Sequence, residues 1–149
     1  MPQTEFSIRS SQPIQLLDLT DSVAALVKGV KEGICLVYLP HATAGIIVNE
    51  YEPNIEQDFL EFFSKLVPKS AEWKHNKIDD NAEAHLKSAL AGPSATVPVA
   101  DGKLVLGTWQ RILLCEFDGP RRRRFQVQVV SATKDSSRNL GAKGVSKET

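Results

Sequence analysis

An α+β domain, an antiparallel β-sandwich carrying two to three helices, is predicted by three features of the sequence. Apolar runs of strand length recur from Phe6 to Val130. Tight-turn residues punctuate them, at Ser10-Ser11-Gln12-Pro13, Ala100-Asp101-Gly102 and Asp118-Gly119-Pro120. Between the first and second of these turns the apolar spacing becomes helical, which places helices on a sheet scaffold without alternating βαβ units.

Phe6 to Arg9 and Ile14 to Leu17 read as two short strands around the first turn. Val23, Leu26, Val27 and Val30 fall on one helical face, with Thr20 or Asp21 as N-cap and Gly33 beyond the end. Ile34 to Leu39 reads as a buried strand stopped by Pro40, and Ala44 to Asn49 as a second, so His41-Ala42-Thr43 lies in their connection. Asn54 opens a clearer helix, with Gln57 completing a capping-box pattern. Ile55, Phe59, Phe62, Phe63 and Leu66 follow at helical spacing until Pro68, and Lys69 to Asp80 has no period and reads as loop. Asn81 caps a second helix, Ala82 to Ala91, which ends at Gly92-Pro93. Ala95 to Val99 and Lys103 to Leu106 form a hairpin around Asp101-Gly102. Trp109 to Phe117 and Arg124 to Val130 close the series around Asp118-Gly119-Pro120, and strands joined by tight turns pair antiparallel. In the last of them Phe125, Val127 and Val129 alternate with Arg124, Gln126 and Gln128, so one face packs.

The 149 residues suit one domain, assigned to residues 1–131, and 132–149 is expected to be a flexible tail rich in Ser, Lys and Gly. With 42% hydrophobic and 24% charged residues the chain is ordinary globular protein. Lys+Arg and Asp+Glu both number 18, so no global field favours nucleic acid or an anionic membrane, and anion binding must come from a local patch. Cys35 and Cys115 sit in apolar runs and read as buried reduced thiols, with a disulfide pair the less favoured alternative. No run approaches the roughly 20 apolar residues of a membrane span, the first residues lack a signal-peptide pattern, and the cytoplasm is the default location.

The chemistry gathers in His41, His75 and His85, the chain's three histidines, all in loops or at a helix start. Neutral imidazole suits zinc, and three histidines with an open fourth position are a catalytic arrangement. The spacing matches no zinc-finger or HExxH pattern, so on spacing alone three unrelated surface or loop histidines are the favoured reading. Glu116 shares a strand face with Ile112 and Leu114 and needs a partner there: a metal, a histidine, or Arg122 or Arg124. Arg121-Arg122-Arg123-Arg124 reads as a solvated strand edge or as a phosphate clamp, to which the N–H groups at the Asn81 helix start would add.

Four ordered segments carry a resemblance. His41-Ala42-Thr43-Ala44-Gly45 through Asn49-Glu50, and His75-Asn76 with Asp79-Asp80-Asn81-Ala82-Glu83-Ala84-His85-Leu86-Lys87, are the histidine-bearing pair. Gly102 to Gln110, and Leu114-Cys115-Glu116-Phe117-Asp118-Gly119-Pro120-Arg121, are the second pair. Together they resemble the YjbQ family, linked to secondary thiamine-phosphate synthase activity, over roughly residues 5 to 131. Ala42 departs from the Thr or Ser that members often carry.

The resemblance implies a homotrimer and a small-molecule enzyme, a thiamine-phosphate synthase-like transferase acting on phosphorylated thiamine precursors, as its main or a side activity. It implies metal on His41, His75 and His85, with zinc favoured and Mg²⁺ the alternative. His41, Glu116 and Asp80 are then the catalytic candidates. Thr43, Asn49, Asn81, Trp109, Gln110, Arg121 and Arg124 are the candidate substrate contacts. Two alternatives stand beside this: a metal-dependent hydrolase or lyase on another phosphorylated small molecule, and a non-catalytic trimeric module binding metal or anion. No nucleic-acid or membrane partner is expected.

Overall fold

The computed structural model describes residues 3–132, so the expectation of a flexible tail lies, but for Ala132, outside the described residues. Among the described residues eight strands form two antiparallel sheets. The larger has the order β1-β8-β3-β5-β6, from Gln3–Arg9 (β1), Arg122–Ser131 (β8), Glu32–Tyr38 (β3), Ser94–Ala100 (β5) and Lys103–Leu104 (β6). The smaller has the order β2-β7-β4, from Gln15–Asp18 (β2), Arg111–Glu116 (β7) and Ala44–Asn49 (β4). The helices are Thr20–Ala24 (α1), Pro53–Leu66 (α2) and Ala82–Ala91 (α3), with a 3₁₀ turn at Lys74–Lys77 inside the expected loop. The predicted fold class is the observed one.

The small sheet is the middle layer because β7 is apolar on both faces. Ile112 and Leu114 join Val23, Cys35, Val37, Ile46, Val97, Phe125 and Val127 in the core between the sheets. Leu113, Cys115 and the following Phe117 point the other way, against Phe63 of α2 and Ala84 of α3. Two-sided burial gives β7 its unbroken hydrophobic run. The outer sheet closes with Phe6 stacked on Phe125 at 5.1 Å between ring centroids. Both cysteines are buried free thiols.

Several local expectations change. α1 stops at Ala24 instead of running to Val30, and turn bonds such as Val30 N–H to Val27 O carry the remaining apolar residues into the core. The caps differ too: the Glu52 carboxylate accepts from the Asn54 and Ile55 amides, so Glu52 caps α2 one residue before Pro53. β3 alternates, with Cys35 and Val37 buried but Ile34 and Tyr38 exposed. The first and last turns do not make hairpins. β1 and β2 lie in different sheets, as do β7 and β8, so both turns pass the chain between layers. β8 is consequently an interior strand, flanked by β1 and β3, and its arginines do not guard an edge.

Candidate functional site

The arginine run alternates sides as it enters β8, and alternation turns one of its members inward. Arg122 and Arg124 are exposed, whereas Arg123 is buried. Its guanidinium meets the Glu116 carboxylate, with Nε 2.9 and 3.0 Å from the two oxygens and a terminal nitrogen closing a further contact. The same arm donates to the Thr43 carbonyl at 3.1 Å and to Thr43 Oγ1 at 2.9 Å. Ser10 Oγ donates to Glu116 Oε1 at 2.6 Å, and the Asp118 amide donates to Glu116 Oε2 at 3.2 Å. The partner of Glu116 is thus Arg123, not Arg122 or Arg124: only the inward position of the run reaches the sandwich interior. This network saturates Glu116 and ties the His41-Ala42-Thr43 connection to β7 and β8.

His41 is the next link. The Arg124 amide donates to His41 Nε2 at 2.9 Å, and the Arg124 carbonyl lies 3.1 Å from the same nitrogen. One ring nitrogen cannot accept and donate at once; the amide is an obligate donor and the closer group, so Nε2 carries the lone pair and Nδ1 the proton. Burial and then the nearby Arg123 charge hold the His41 pKa below its ordinary range. The neutral imidazole matches its role as acceptor.

His75 and His85 come together elsewhere. Their rings meet edge to face with centroids 4.8 Å apart. His75 Nε2 lies 3.1 Å from Asn81 Oδ1, and Asn81 Nδ2 donates to Asp118 Oδ2 at 2.9 Å. Since the amide nitrogen is spent on Asp118, Asn81 Oδ1 is an acceptor and His75 Nε2 must carry the proton, which leaves Nδ1 basic in the neutral ring. Arg121 completes the chain, donating to the Asp118 carbonyl at 2.7 Å and its carboxylate at 2.8 Å. Asn81, expected as an N-cap, is buried between His75 and Asp118 and makes no cap bond; Asn76 Oδ1 takes the Ala82 amide instead, occupying one of the N–H groups expected for an anion.

The local sequence explains this assembly. Ser88 Oγ donates to the Ala44 carbonyl at 2.6 Å, and a Cβ on Gly45 would stand 2.6 Å from the Ala91 methyl, so α3 seats directly on β4. A Cβ on Gly119 would stand 2.2 Å from the Gln12 carbonyl, and the Gly119 amide donates to Pro13 O at 2.9 Å. Only glycine allows that approach, which swings Asp118 under the start of α3.

The remaining predicted residues are scattered. Asp80 is exposed on the loop before α3, and Asn49 is an exposed strand end accepting from the Glu50 amide. Trp109 is exposed, and Gln110 accepts from the Gly107 amide in the same loop. Arg124 reaches Glu5 at 3.7 Å. Among the described residues no group of three or more His, Cys, Asp or Glu side chains is arranged to hold a metal ion. The donor set of one chain therefore does not fit a three-histidine centre: His75 and His85 adjoin, while the His41 Nε2 lone pair is taken by an amide.

Asp80 and Asp118 also line a cavity of about 390 Å³, with Glu83, Lys87, Lys69, Ser64 and an apolar wall including Phe117. Glu83, Lys87 and Asp118 fall within the resembling segments but are not among the site candidates drawn from the sequence. The signal was present for the first two: they lie i,i+4 on α3, on the face that also carries Ala84 and Ser88 into the interior.

The comparisons agree with this architecture. The sequence profile described as UPF0047 protein YjbQ-like matches residues 4–132. A UPF0047 protein of Archaeoglobus fulgidus is 47% identical over 126 residues, covering 85% of this chain and 99% of that protein. YugU of Bacillus subtilis, also described as UPF0047, is 38% identical over 129 residues, covering 83% and 95%. A solved YbjQ-like protein of Sulfolobus solfataricus superposes with a TM-score of 0.85 at 40% identity, covering 88% of this chain and 97% of that one. A Clostridium acetobutylicum protein of the yjbq/upf0047 family gives 0.81 at 40% identity, covering 85% and 99%. With the profile spanning nearly all of the described residues and relatives this similar along nearly their whole length, the chain belongs to the YjbQ/UPF0047 family.

Proposed function

We propose that the chain is an enzyme acting on a small phosphorylated molecule at the His75–His85–Asn81–Asp118–Arg121 cluster. The observation that carries this is the hydrogen-bonded sequence from His75 through Asn81 and Asp118 to Arg121, with His85 against His75. Asn81 orients His75 and fixes its tautomer, so Nδ1 is free to take a proton, the usual demand on a general base. Asp118 occupies two of the five donors of Arg121 and holds its guanidinium in place; the other three remain for phosphate oxygens. Two imidazoles in contact supply a base and an acid near one anion-binding group.

Thiamine-phosphate synthesis fits as a side activity. It breaks the carbon–oxygen bond of a pyrimidine diphosphate, joins the carbon to a thiazole nitrogen and releases pyrophosphate, whose charge needs cationic neutralisation. Zinc, or Mg²⁺ in its place, enters the proposal only with a donor from outside the chain, as in a homotrimer where a second copy adds the missing ligand. His41, Glu116 and Arg123 are assigned to holding the scaffold, and Arg121 to the phosphate.

Turnover of the pyrimidine diphosphate and thiazole phosphate pair, beside metal analysis and sedimentation, tests the proposal. His75→Ala and His85→Ala should each reduce turnover about a hundredfold or more, and Arg121→Ala should raise KM for the phosphorylated substrate. Bound metal with no turnover of any phosphorylated substrate would favour the trimeric binding module.

A further inference from the structure

The cavity beside the histidine cluster has an electrostatic peculiarity that the proposed reaction leaves unused. Glu83 is only 6% exposed, and its Oε2 has no hydrogen-bond partner among the described residues. Lys87, one helical turn on, is only 2% exposed. Both line the cavity, together with the second cation Lys69. A buried carboxylate oxygen without a donor is costly, and an ammonium one turn away, acting through its charge alone, is a partial remedy that leaves the hydrogen bond unmade. Burial pushes the Lys87 pKa down, Glu83 pulls it back up, and Lys69 adds to the depression. The two make no ion pair with each other, so carboxylate and ammonium stand as separate acceptor and donor in the lining of a space that Ile14 and Phe117 also line.

We infer that this cavity is a binding site for a small zwitterion, its amine donating to Glu83 and its phosphate or carboxylate accepting from Lys87 and Lys69. The aliphatic link between the two groups would lie along Ile14 and Phe117. The inference stands on the cavity alone and does not depend on turnover at His75 and His85.

Calorimetric titration with ethanolamine phosphate, inorganic phosphate and ethanolamine tests it. The wild type should bind ethanolamine phosphate at least about tenfold more tightly than inorganic phosphate, because the amine makes a charged hydrogen bond to a desolvated acceptor. Glu83→Gln should erase that advantage while leaving phosphate affinity intact. Lys87→Met, which keeps the hydrocarbon stem, should weaken both phosphates. Replacing His75 and His85 by alanine should leave the amine preference in place, which separates this site from the proposed catalytic one. Equal affinity of wild type for both phosphates, no binding of ethanolamine phosphate, or an amine preference that survives Glu83→Gln overturns the inference. The wild-type comparison decides the matter even if a variant fails to fold.

Discussion

Replacing Arg123 by Met is the sharpest test of what holds this fold around its site. The change keeps most of the side-chain volume and removes the guanidinium that faces Glu116, whose side chain is fully buried. Breaking a buried ion pair from one side costs about 3–5 kcal/mol, because the surviving charge is left uncompensated. Ser10 Oγ and the Asp118 amide still donate to Glu116, so the lower end is expected, about 3 kcal/mol. For a chain of this length roughly 3–4 °C of Tm follows each kcal/mol, so Arg123→Met should melt about 10 °C below wild type. Thermal and urea unfolding at fixed protein concentration measure it. The double variant Glu116→Leu/Arg123→Met should recover most of the loss, since a well-packed apolar pair substitutes for a buried ion pair at little net cost. A single variant within about 1 kcal/mol of wild type, or a double variant showing simple additivity, would refute the reasoning.

Other outcomes follow from the same geometry. His41 is held below its ordinary pKa of 6.5, so the unfolded chain protonates first as pH falls. Stability should be unaffected above about pH 6.5, decline as pH drops through that value, and level off once folded His41 also protonates; His41→Gln should flatten that part of the profile. Burial raises Cys35 to about 11 and Cys115 to about 12, so neither thiol should react with a thiol reagent at neutral pH until the protein is denatured, when two should react. Asn81→Leu removes the bridge between His75 and Asp118 and leaves a buried site without its polar partner, which should cost about 1–3 kcal/mol by thermal melting.

The two-sheet sandwich was legible because its signals are local. The period-two alternation of Phe125, Val127 and Val129 and the two-sided apolar run of β7 give strand and face directly. α3 was placed to the residue, since Gly92 with φ of 89° ends it and the helical run before it is unbroken. What was illegible depends on layers. A turn such as Asp118-Gly119-Pro120 looks the same whether it closes a hairpin or crosses between sheets, and here it crosses. The same crossing hides the Arg123 pairing: four consecutive arginines differ only in which one the strand twist aims at Glu116. The meeting of His75 and His85 follows from the nine residues of turn and helix between them folding back. His41, in the same sequence class of loop histidine, is instead held by the backbone of β8.

The central claim is that His75 and His85, coupled to Arg121 through Asn81 and Asp118, form the site for a phosphorylated molecule. The most direct measurement is the set of histidine side-chain NMR resonances followed during titration with inorganic pyrophosphate. His75 and His85 should shift together and saturably, Arg121→Ala should abolish the response, and His41 should stay nearly still. A response confined to His41, or shifts of His75 and His85 that persist unchanged in Arg121→Ala, would contradict the assignment.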